Sequence, residues 1–187
     1  MIGDRFEVVL ADAARGQEAA FAELYRDVHP PLLRYLRTMS WDHAEDAGSE
    51  TWLELARSLP TFTGTEAAFR GWVFTIARRK LIDRIRYESR RPSSAWDGAD
   101  DFGPLTRDIA DDVVEMDDTY RALAMVQTLP RDQAEAVLLR VVGGLDYADV
   151  GLVMGRSSGA VRVLVHRGLR RLASELGDRS EMPGVTP

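Results

Sequence analysis

Apolar residues recur every three to four positions along most of the chain, and no stretch shows the two-residue alternation of a strand. This spacing predicts helices over residues 6–14, 18–28, 32–39, 43–59, 67–87 and 120–128. Pro30 and Pro31 are expected to interrupt or kink the chain before the third of them. Pro130 is expected to open a further helix, which Gly143 and Gly144 close. The pattern therefore predicts an all-α fold.

Two of the predicted helices carry apolar residues at core spacing. In residues 43–59 the buried face is predicted to comprise Trp52, Leu55, Ala56 and Leu59. In residues 67–87 it is predicted to comprise Phe69, Trp72, Val73, Ile76, Ile82 and Ile85. Trp72 is ambiguous: an aromatic side chain at core spacing is usually buried, but one beside a polar loop can also take part in binding. The loop itself, Pro60 to Thr65, is marked by proline and glycine.

Residues 129–172 predict a helix-turn-helix. Asp146 is placed to cap its first helix, Gly155 to end that helix in a left-handed conformation, and Ser157 to cap the second helix. The apolar stripe predicted for the second helix is Val161, Val165, Leu169, Leu172 and Leu176. Basic side chains follow another face at helical spacing, namely Arg162, His166, Arg167, Arg170 and Arg171. A short turn between two helices can direct the second into the major groove of DNA.

Composition excludes several other classes of function. The 187-residue chain is 45% hydrophobic, which is sufficient for a core, and has no cysteine, so disulfides and thiolate metal sites are excluded. Its three histidines lack the spacing of zinc ligands, and no cofactor is expected. No stretch reaches the roughly 20 apolar residues of a membrane helix, and acids near the N-terminus argue against a signal peptide. We expect a cytoplasmic protein without direct membrane insertion.

The net charge of −6 conceals two segments of opposite sign. Residues 70–91 contain eight basic and two acidic side chains, whereas residues 92–118 contain one basic and nine acidic side chains. A basic segment favours nucleic acid, and the acidic one, rich in Pro, Gly and Ser, has the composition of a flexible linker. We therefore predict two helical domains, 1–91 and 119–177, joined by an acidic linker at 92–118, and a disordered tail at 178–187.

Four segments together resemble bacterial extracytoplasmic-function sigma factors, group 4 of the sigma-70 family. They are FAELYRDVHPPLLRYLR, HAEDAGSETWLELARSLPTF, FRGWVFTIARRKLIDRIR and, after the acidic linker, LPRDQAEAVLLRVVGGLDYADVGLVMG. The resemblance implies a transcription initiation factor without catalytic activity. Its first domain would bind core RNA polymerase and open the −10 element of the promoter, and its second would bind the −35 element. An anti-sigma factor is an expected further partner.

The resemblance also implies roles for individual residues. Core polymerase binding is expected of Asp46, Glu50 and Glu54. Contacts to the −10 element are expected of Phe62, Thr63, Thr65, Arg70 and Arg78, with Arg79, Lys80, Arg84 and Arg86 on phosphates. Contacts to the −35 element are expected of Ser157, Ser158, Arg162, His166, Arg167, Arg170 and Arg171. The solvated-surface interpretation of these charged residues stays open from charge alone.

Three positions depart from the usual wording of the family. Arg79 stands where an asparagine is common, and Val163 and Leu164 replace two polar residues of the second helix. Base recognition would then depend more on Arg162, Arg167 and Ser158. Alternatively, the second helix would pack differently on its neighbouring helix.

Two other classes of function remain as alternatives. One is a helix-turn-helix regulator that binds an operator without polymerase. The other is a helical enzyme using His43, Asp46 and Glu50, for which no nucleophile or phosphate loop is present.

Overall fold

The computed structural model describes residues 1–89 and 118–180, which are called here the N-terminal half and the C-terminal half. The N-terminal half contains α1 (Phe6–Ala14), α2 (Glu18–Met39), α3 (Ala44–Ser58) and α4 (Glu66–Ser89). The C-terminal half contains α5 (Asp118–Gln127), α6 (Arg131–Val137), α7 (Tyr147–Met154) and α8 (Ser158–Ser180). A π-helical turn, Leu138–Val142, extends α6 up to Gly143. The described residues form no strand, and the all-α prediction is confirmed.

Helix α2 runs without a break through Pro30 and Pro31, so the predicted interruption there is wrong. Proline removes two backbone donors from the helix, which normally breaks it. Here the buried stripe continues across the prolines, from Leu24 and Val28 to Leu32, all at most 1% exposed, while Pro30 faces solvent. Burial of this stripe offsets the missing hydrogen bonds. The rule that proline interrupts a helix considers only the local sequence and does not include this burial.

The buried face of α3 differs from the prediction at one position. Trp52, Leu55 and Leu59 are buried as expected, but Ala56 is exposed. The face that packs on α2 and α4 follows Ala44, Ala47, Gly48, Thr51, Trp52 and Leu55. Ala56 therefore falls outside this face and lines a groove between α2 and α3.

Helix α4 lies at the centre of the molecule. It packs on α3 and α2 on one side and on α7 of the C-terminal half on another. Its fully buried apolar residues accordingly lie around much of the helix and include Val73, Phe74, Ala77 and Leu81. Ile76 and Ile82 are also buried, Ile85 and Trp72 partly so. The basic segment of the chain is thus built on a helix with little free surface.

In the C-terminal half, α8 packs on α6 and α7 through Val161, Val165 and Gly168. The predicted stripe was wrong at Leu169 and Leu176, which are 45% and 52% exposed. Gly168 takes the interior position instead, since a Cβ there would lie 2.8 Å from Val137 Cγ2. Glycine has no apolar side chain and is not counted in a search for apolar spacing, so the interior position of Gly168 was not predicted.

The structure differs from the predicted boundary of the C-terminal tail. Helix α8 continues to Ser180, so residues 178–180 are helical rather than part of a tail. Residues 92–117 of the predicted linker and residues 181–187 lie outside the described residues. None of the described helices is both long and apolar enough to cross a membrane.

Candidate nucleic-acid interface

The turn between α7 and α8 has the predicted capping chemistry. The Asp146 carboxylate accepts hydrogen bonds from the backbone N–H groups of Ala148 and Asp149, both at 2.8 Å. Gly155 ends α7 with φ of 66°, a left-handed conformation that glycine adopts readily. Ser157 Oγ accepts from the Ala160 N–H at 3.2 Å and caps α8. These caps fix the direction in which α8 leaves the turn.

Helix α8 presents its basic face to solvent. The residues predicted to contact the −35 element are all exposed: Ser157, Ser158, Arg162, His166, Arg167, Arg170 and Arg171. Val163 lies among them and is 47% exposed, whereas Leu164 is half-buried against the core. An exposed valine on such a face can contact a thymine methyl group. The two departures from the family wording therefore have different structural roles.

Tyr147 is an additional residue of this surface that sequence reasoning missed. The guanidinium carbon of Arg162 lies 5.1 Å from the centroid of the Tyr147 ring, and that of Arg140 lies 5.2 Å from it. Arg140 is held further by a hydrogen bond from Nη1 to the Leu145 carbonyl oxygen at 3.1 Å. The cation–π contact restricts where the Arg162 guanidinium can lie. The sequence contains an indication of this position, because Tyr147 directly follows Asp146, the residue that caps α7.

The loop before α4 carries an aromatic cluster. The Phe62 ring stacks on Trp72 with centroids 4.8 Å apart and 12° between the planes, and it meets Phe69 edge-on at 5.6 Å. Trp72 and Phe62 are both half-buried, so each keeps part of its surface accessible. Thr63 and Thr65 are exposed at the same loop, and Thr65 Oγ1 accepts from the Ala68 N–H at 3.3 Å as a helix cap.

Two arginines predicted to contact the −10 element are directed into the protein. Arg70 is 7% exposed and forms an ion pair with Asp27 at 2.6 Å, while its Nε donates to the Gly143 carbonyl oxygen at 3.3 Å. The Arg78 side chain is 16% exposed and forms an ion pair with Glu135 at 2.8 Å. In this arrangement of the chain both guanidinium groups are engaged by acceptors within the protein, although Arg78 also lines a surface pocket with Arg79 and Arg86.

The predicted polymerase-binding acids and the predicted phosphate-binding bases contact one another across α3 and α4. Arg84 Nη2 lies 2.9 Å from Asp46 and 3.0 Å from Glu50, and Lys80 Nζ lies 3.1 Å from Glu54. Arg79 also donates to Glu54, and this hydrogen bond is the main reason that the pKa of the Glu54 carboxyl is lowered. Arg86 is exposed. Both sets of charges are thus partly neutralised within the N-terminal half.

A groove of about 460 Å³ lies between α2 and α3, and its lining includes the acid Glu45. Its wall includes Tyr25 and His29, whose rings stack at 4.4 Å, and Leu53, which is 59% exposed. Trp52 Nε1 donates to His29 Nδ1 at 3.1 Å. Burial lowers the pKa of the His29 imidazole, which favours the neutral form that accepts this hydrogen bond. Sequence reasoning treated Trp52 and Leu55 as core and missed the groove.

Comparison with known proteins identifies the family. The family model for sigma-70 region 2 matches residues 24–91, and the model for sigma-70 region 4 matches residues 120–172. The chain is 30% identical to the ECF RNA polymerase sigma factor SigD of Mycobacterium tuberculosis, over 94% of this chain and 86% of that protein.

Two solved structures share the fold. One is CnrH in complex with the cytosolic domain of CnrY, with 20% identity, a TM-score of 0.63 and coverage of 94% of this chain and 99% of that chain. The other is the sigma factor RpoE in complex with the anti-sigma factor NepR from Bartonella quintana, with 23% identity, a TM-score of 0.62 and coverage of 84% and 96%. From the two family models and the similarity to SigD, the chain belongs to the extracytoplasmic-function sigma factors of the sigma-70 family.

Proposed function

We propose that this sigma factor recognises the −35 element through the exposed face of α8 and the −10 element through the aromatic loop and α4. As a member of its family it is a promoter-specific transcription initiation factor that acts with core RNA polymerase. The observation that carries the assignment of α8 is its row of exposed side chains behind a capped turn. The division into a domain at 1–91, an acidic linker and a domain at 119–177 is part of the same proposal.

At the −35 element, Arg162 is the residue best placed for base recognition. Its side chain is exposed, held over Tyr147 and adjacent on the helix face to His166. A bidentate arginine contact to guanine discriminates against other bases by about 1–3 kcal/mol. Arg167 and Ser158 would add base or sugar contacts. Arg170 and Arg171, nearer the C-terminus of α8, would bind phosphates, which position the helix without reading sequence.

At the −10 element, promoter opening requires that unstacked bases are held by the protein. Aromatic side chains stabilise an unstacked base by stacking, at about 1–3 kcal/mol per base. The Phe62–Trp72 pair, with Thr63 and Thr65 beside it, offers such a surface. Arg79, Lys80, Arg84 and Arg86 would bind the phosphates of the opened strand. Arg70 and Arg78 would join them only in an arrangement that exposes them.

For the polymerase we propose the outer surface of α3, comprising Asp46, Glu50 and Glu54. Asp46 is 61% exposed despite its ion pair with Arg84, and so remains accessible to a basic partner surface. The neighbouring groove, with Leu53 exposed at its edge, would supply apolar contact area beside these charges. Exposed ion pairs are weak, so a partner can replace them at little loss of free energy.

We further propose that the chain has no catalytic activity of its own and works in the cytoplasm, where its polymerase partner is. Its relatives are sigma factors, which act by binding. An anti-sigma factor is a proposed third partner, in line with the RpoE–NepR complex that shares the fold. Such a partner would compete with polymerase for the N-terminal half.

The test is binding of duplex promoter DNA with and without core polymerase. The expected result is tight, sequence-dependent binding only when core polymerase is present, and loss of about tenfold or more in affinity for polymerase in the triple variant Asp46→Asn, Glu50→Gln, Glu54→Gln. The variant Asp12→Asn, at a half-buried position of α1 that forms an ion pair with Arg15, is the charge control. Equally tight duplex binding by the chain alone would favour a stand-alone regulator and contradict the proposal.

A further inference from the structure

Residues 2 and 3, which precede α1, are bound to the first residue of α4. The Glu66 carboxylate accepts a hydrogen bond from the Ile2 N–H at 2.7 Å through Oε1 and from the Gly3 N–H at 3.0 Å through Oε2. Glu66 is half-buried, and hydrogen bonds to a charged acceptor are stronger than those between neutral groups. The segment before α1 is thus joined to the start of the helix that carries the proposed −10 residues.

The backbone at Ile2 and Gly3 forms a concave arrangement of successive N–H groups that suits an anion. Ile2 is right-handed, with φ of −77° and ψ of −30°, and Gly3 is left-handed, with φ of 68°. A right-handed residue followed by a left-handed one directs two consecutive N–H groups towards one point. Glycine adopts the left-handed conformation without the steric cost that other residues incur. Gly3 therefore shapes a site for a carboxylate, and Glu66 occupies it.

Aromatic contacts continue from α1 to the proposed base-binding surface. The Phe6 ring, at the start of α1, lies 5.7 Å from the ring of Phe69, which is 1% exposed. Phe69 meets Phe62 at 5.6 Å and Trp72 at 6.2 Å, edge-on in both contacts. Helix α1 also packs on the turn Leu59–Thr61, from which the aromatic loop starts. The stacked Phe62–Trp72 pair therefore packs on Phe69, and Phe69 packs on α1.

The aromatic loop is itself packed closely on the first turn of α4. A Cβ on Gly64 would lie 3.1 Å from Phe62 Cζ and 3.2 Å from Ala68 Cβ. Because the loop, Phe62 and this turn are in contact, a shift of the turn would move Phe62 with it. The hydrogen bonds of Glu66 lie at the same turn and fix its position relative to the segment before α1.

We infer that residues 2–9 position the base-binding surface of the −10 element, with Glu66 and Gly3 as positioning residues. Only the effect on base capture rests on the proposed function. Gly3 acts through Glu66, and Glu66 acts through the first turn of α4. The strength of stacking depends on the distance and angle between rings, so a displaced Phe62–Trp72 pair would hold an unstacked base less well.

The positioning of the loop is tested on the free full-length chain by hydrogen exchange with mass spectrometry. Glu66→Gln leaves one carbonyl oxygen for two N–H groups and removes the charge. Gly3→Ala disfavours the left-handed conformation, although its Cβ would meet no atom within 4 Å. In both variants, peptides covering residues 59–72 are expected to exchange about fivefold faster than in the unsubstituted chain, the change expected for the net loss of one hydrogen bond.

The matched controls are Glu7→Gln and Gly16→Ala. Glu7 is an exposed carboxylate in the first turn of α1. Gly16 is also left-handed, with φ of 87°, and a Cβ there would also have no atom within 4 Å. Gly16→Ala therefore introduces a similar backbone cost at the other end of α1. Both controls should leave exchange in residues 59–72 unchanged, and circular dichroism checks that every variant keeps its helix content.

Base capture is tested by selection from a pooled promoter library with purified core polymerase. Glu66→Gln and Gly3→Ala are expected to lower base preference in the downstream block by about fivefold or more, the lower limit for one stacked base. Preference in the upstream block and affinity for core polymerase should be unchanged. A merely destabilised chain would lose transcription from all templates without this selectivity. Phe62→Ala, measured alongside, shows whether the downstream block depends on the aromatic loop.

The outcomes separate the inference from the proposed function. Equal exchange in residues 59–72 of Glu66→Gln, Gly3→Ala and their controls would overturn the positioning role, whatever the promoter data show. Faster exchange with an unchanged downstream preference, beside a changed preference in Phe62→Ala, would overturn the role in base capture and leave the proposed function intact. An unchanged preference in Phe62→Ala would contradict the proposed function itself, and base capture with it. Faster exchange together with a selective downstream loss supports the inference.

Discussion

The contact between Tyr147 and Arg162 permits a quantitative prediction about −35 recognition. Replacing Tyr147 by leucine keeps an apolar side chain against the core but removes the ring beneath the guanidinium, 5.1 Å from its centroid. A cation–π contact at an exposed site contributes about 0.5–1 kcal/mol. Tyr147→Leu should therefore weaken discrimination at the base read by Arg162 by about two- to fivefold.

Arg162→Ala sets the upper limit of the same effect. If Arg162 contacts a guanine, its removal should reduce discrimination at that base by about 1–3 kcal/mol, or roughly 5- to 150-fold. Once Arg162 is absent, Tyr147→Leu should have no further effect. The coupling energy of the double-mutant cycle should therefore be about 0.5–1 kcal/mol.

The assay is competition binding of polymerase holoenzyme to promoters that carry each base at each −35 position. Tyr147→Phe, which retains the ring, is the control and should behave as the unsubstituted chain does. Thermal unfolding checks that no variant is destabilised. Unchanged base preference in Tyr147→Leu, beside a changed preference in Arg162→Ala, would refute the role of Tyr147 in positioning the arginine.

Two further predictions concern stability. Gly168→Ala should lower the free energy of unfolding, measured by chemical denaturation, by about 1–3 kcal/mol, because its Cβ would lie 2.8 Å from Val137 Cγ2. The control is Gly159→Ala, which should be neutral or stabilising because its Cβ would have no neighbouring atom within 4 Å. Asp146→Ala should lower it by about 0.5–2 kcal/mol by removing the cap of α7, and Asp146→Asn should restore most of the loss.

Local sequence rules predicted most helices and their caps. Asp146, Gly155 and Ser157 have the roles assigned from sequence, because capping depends only on a few adjacent backbone groups. The exposed basic face of α8 was equally predictable from helical spacing. Errors arose where a distant segment decides the outcome, as in the continuous helix through Pro30 and the interior position of Gly168.

The burial of the predicted −10 arginines could not be predicted from sequence. Arg78 lies in a basic segment, and the carboxylate that engages it, Glu135, is 57 residues away in another helix. Arg70 is likewise held by Asp27, 43 residues earlier. Spacing along one helix identifies which side chains share a face, but not which other helix covers that face. Which helix covers which face is therefore information that only the structure supplies.

Promoter selection from a pooled library, with purified core polymerase, measures the central assignment most directly. Transcripts from the unsubstituted chain should come from templates enriched in two separate sequence blocks, and Arg162→Ala should change base preference in the upstream block while leaving the downstream block intact. The converse is expected of Phe62→Ala. No RNA from any template, or an upstream preference indifferent to Arg162, would contradict the assignment of α8 to the −35 element.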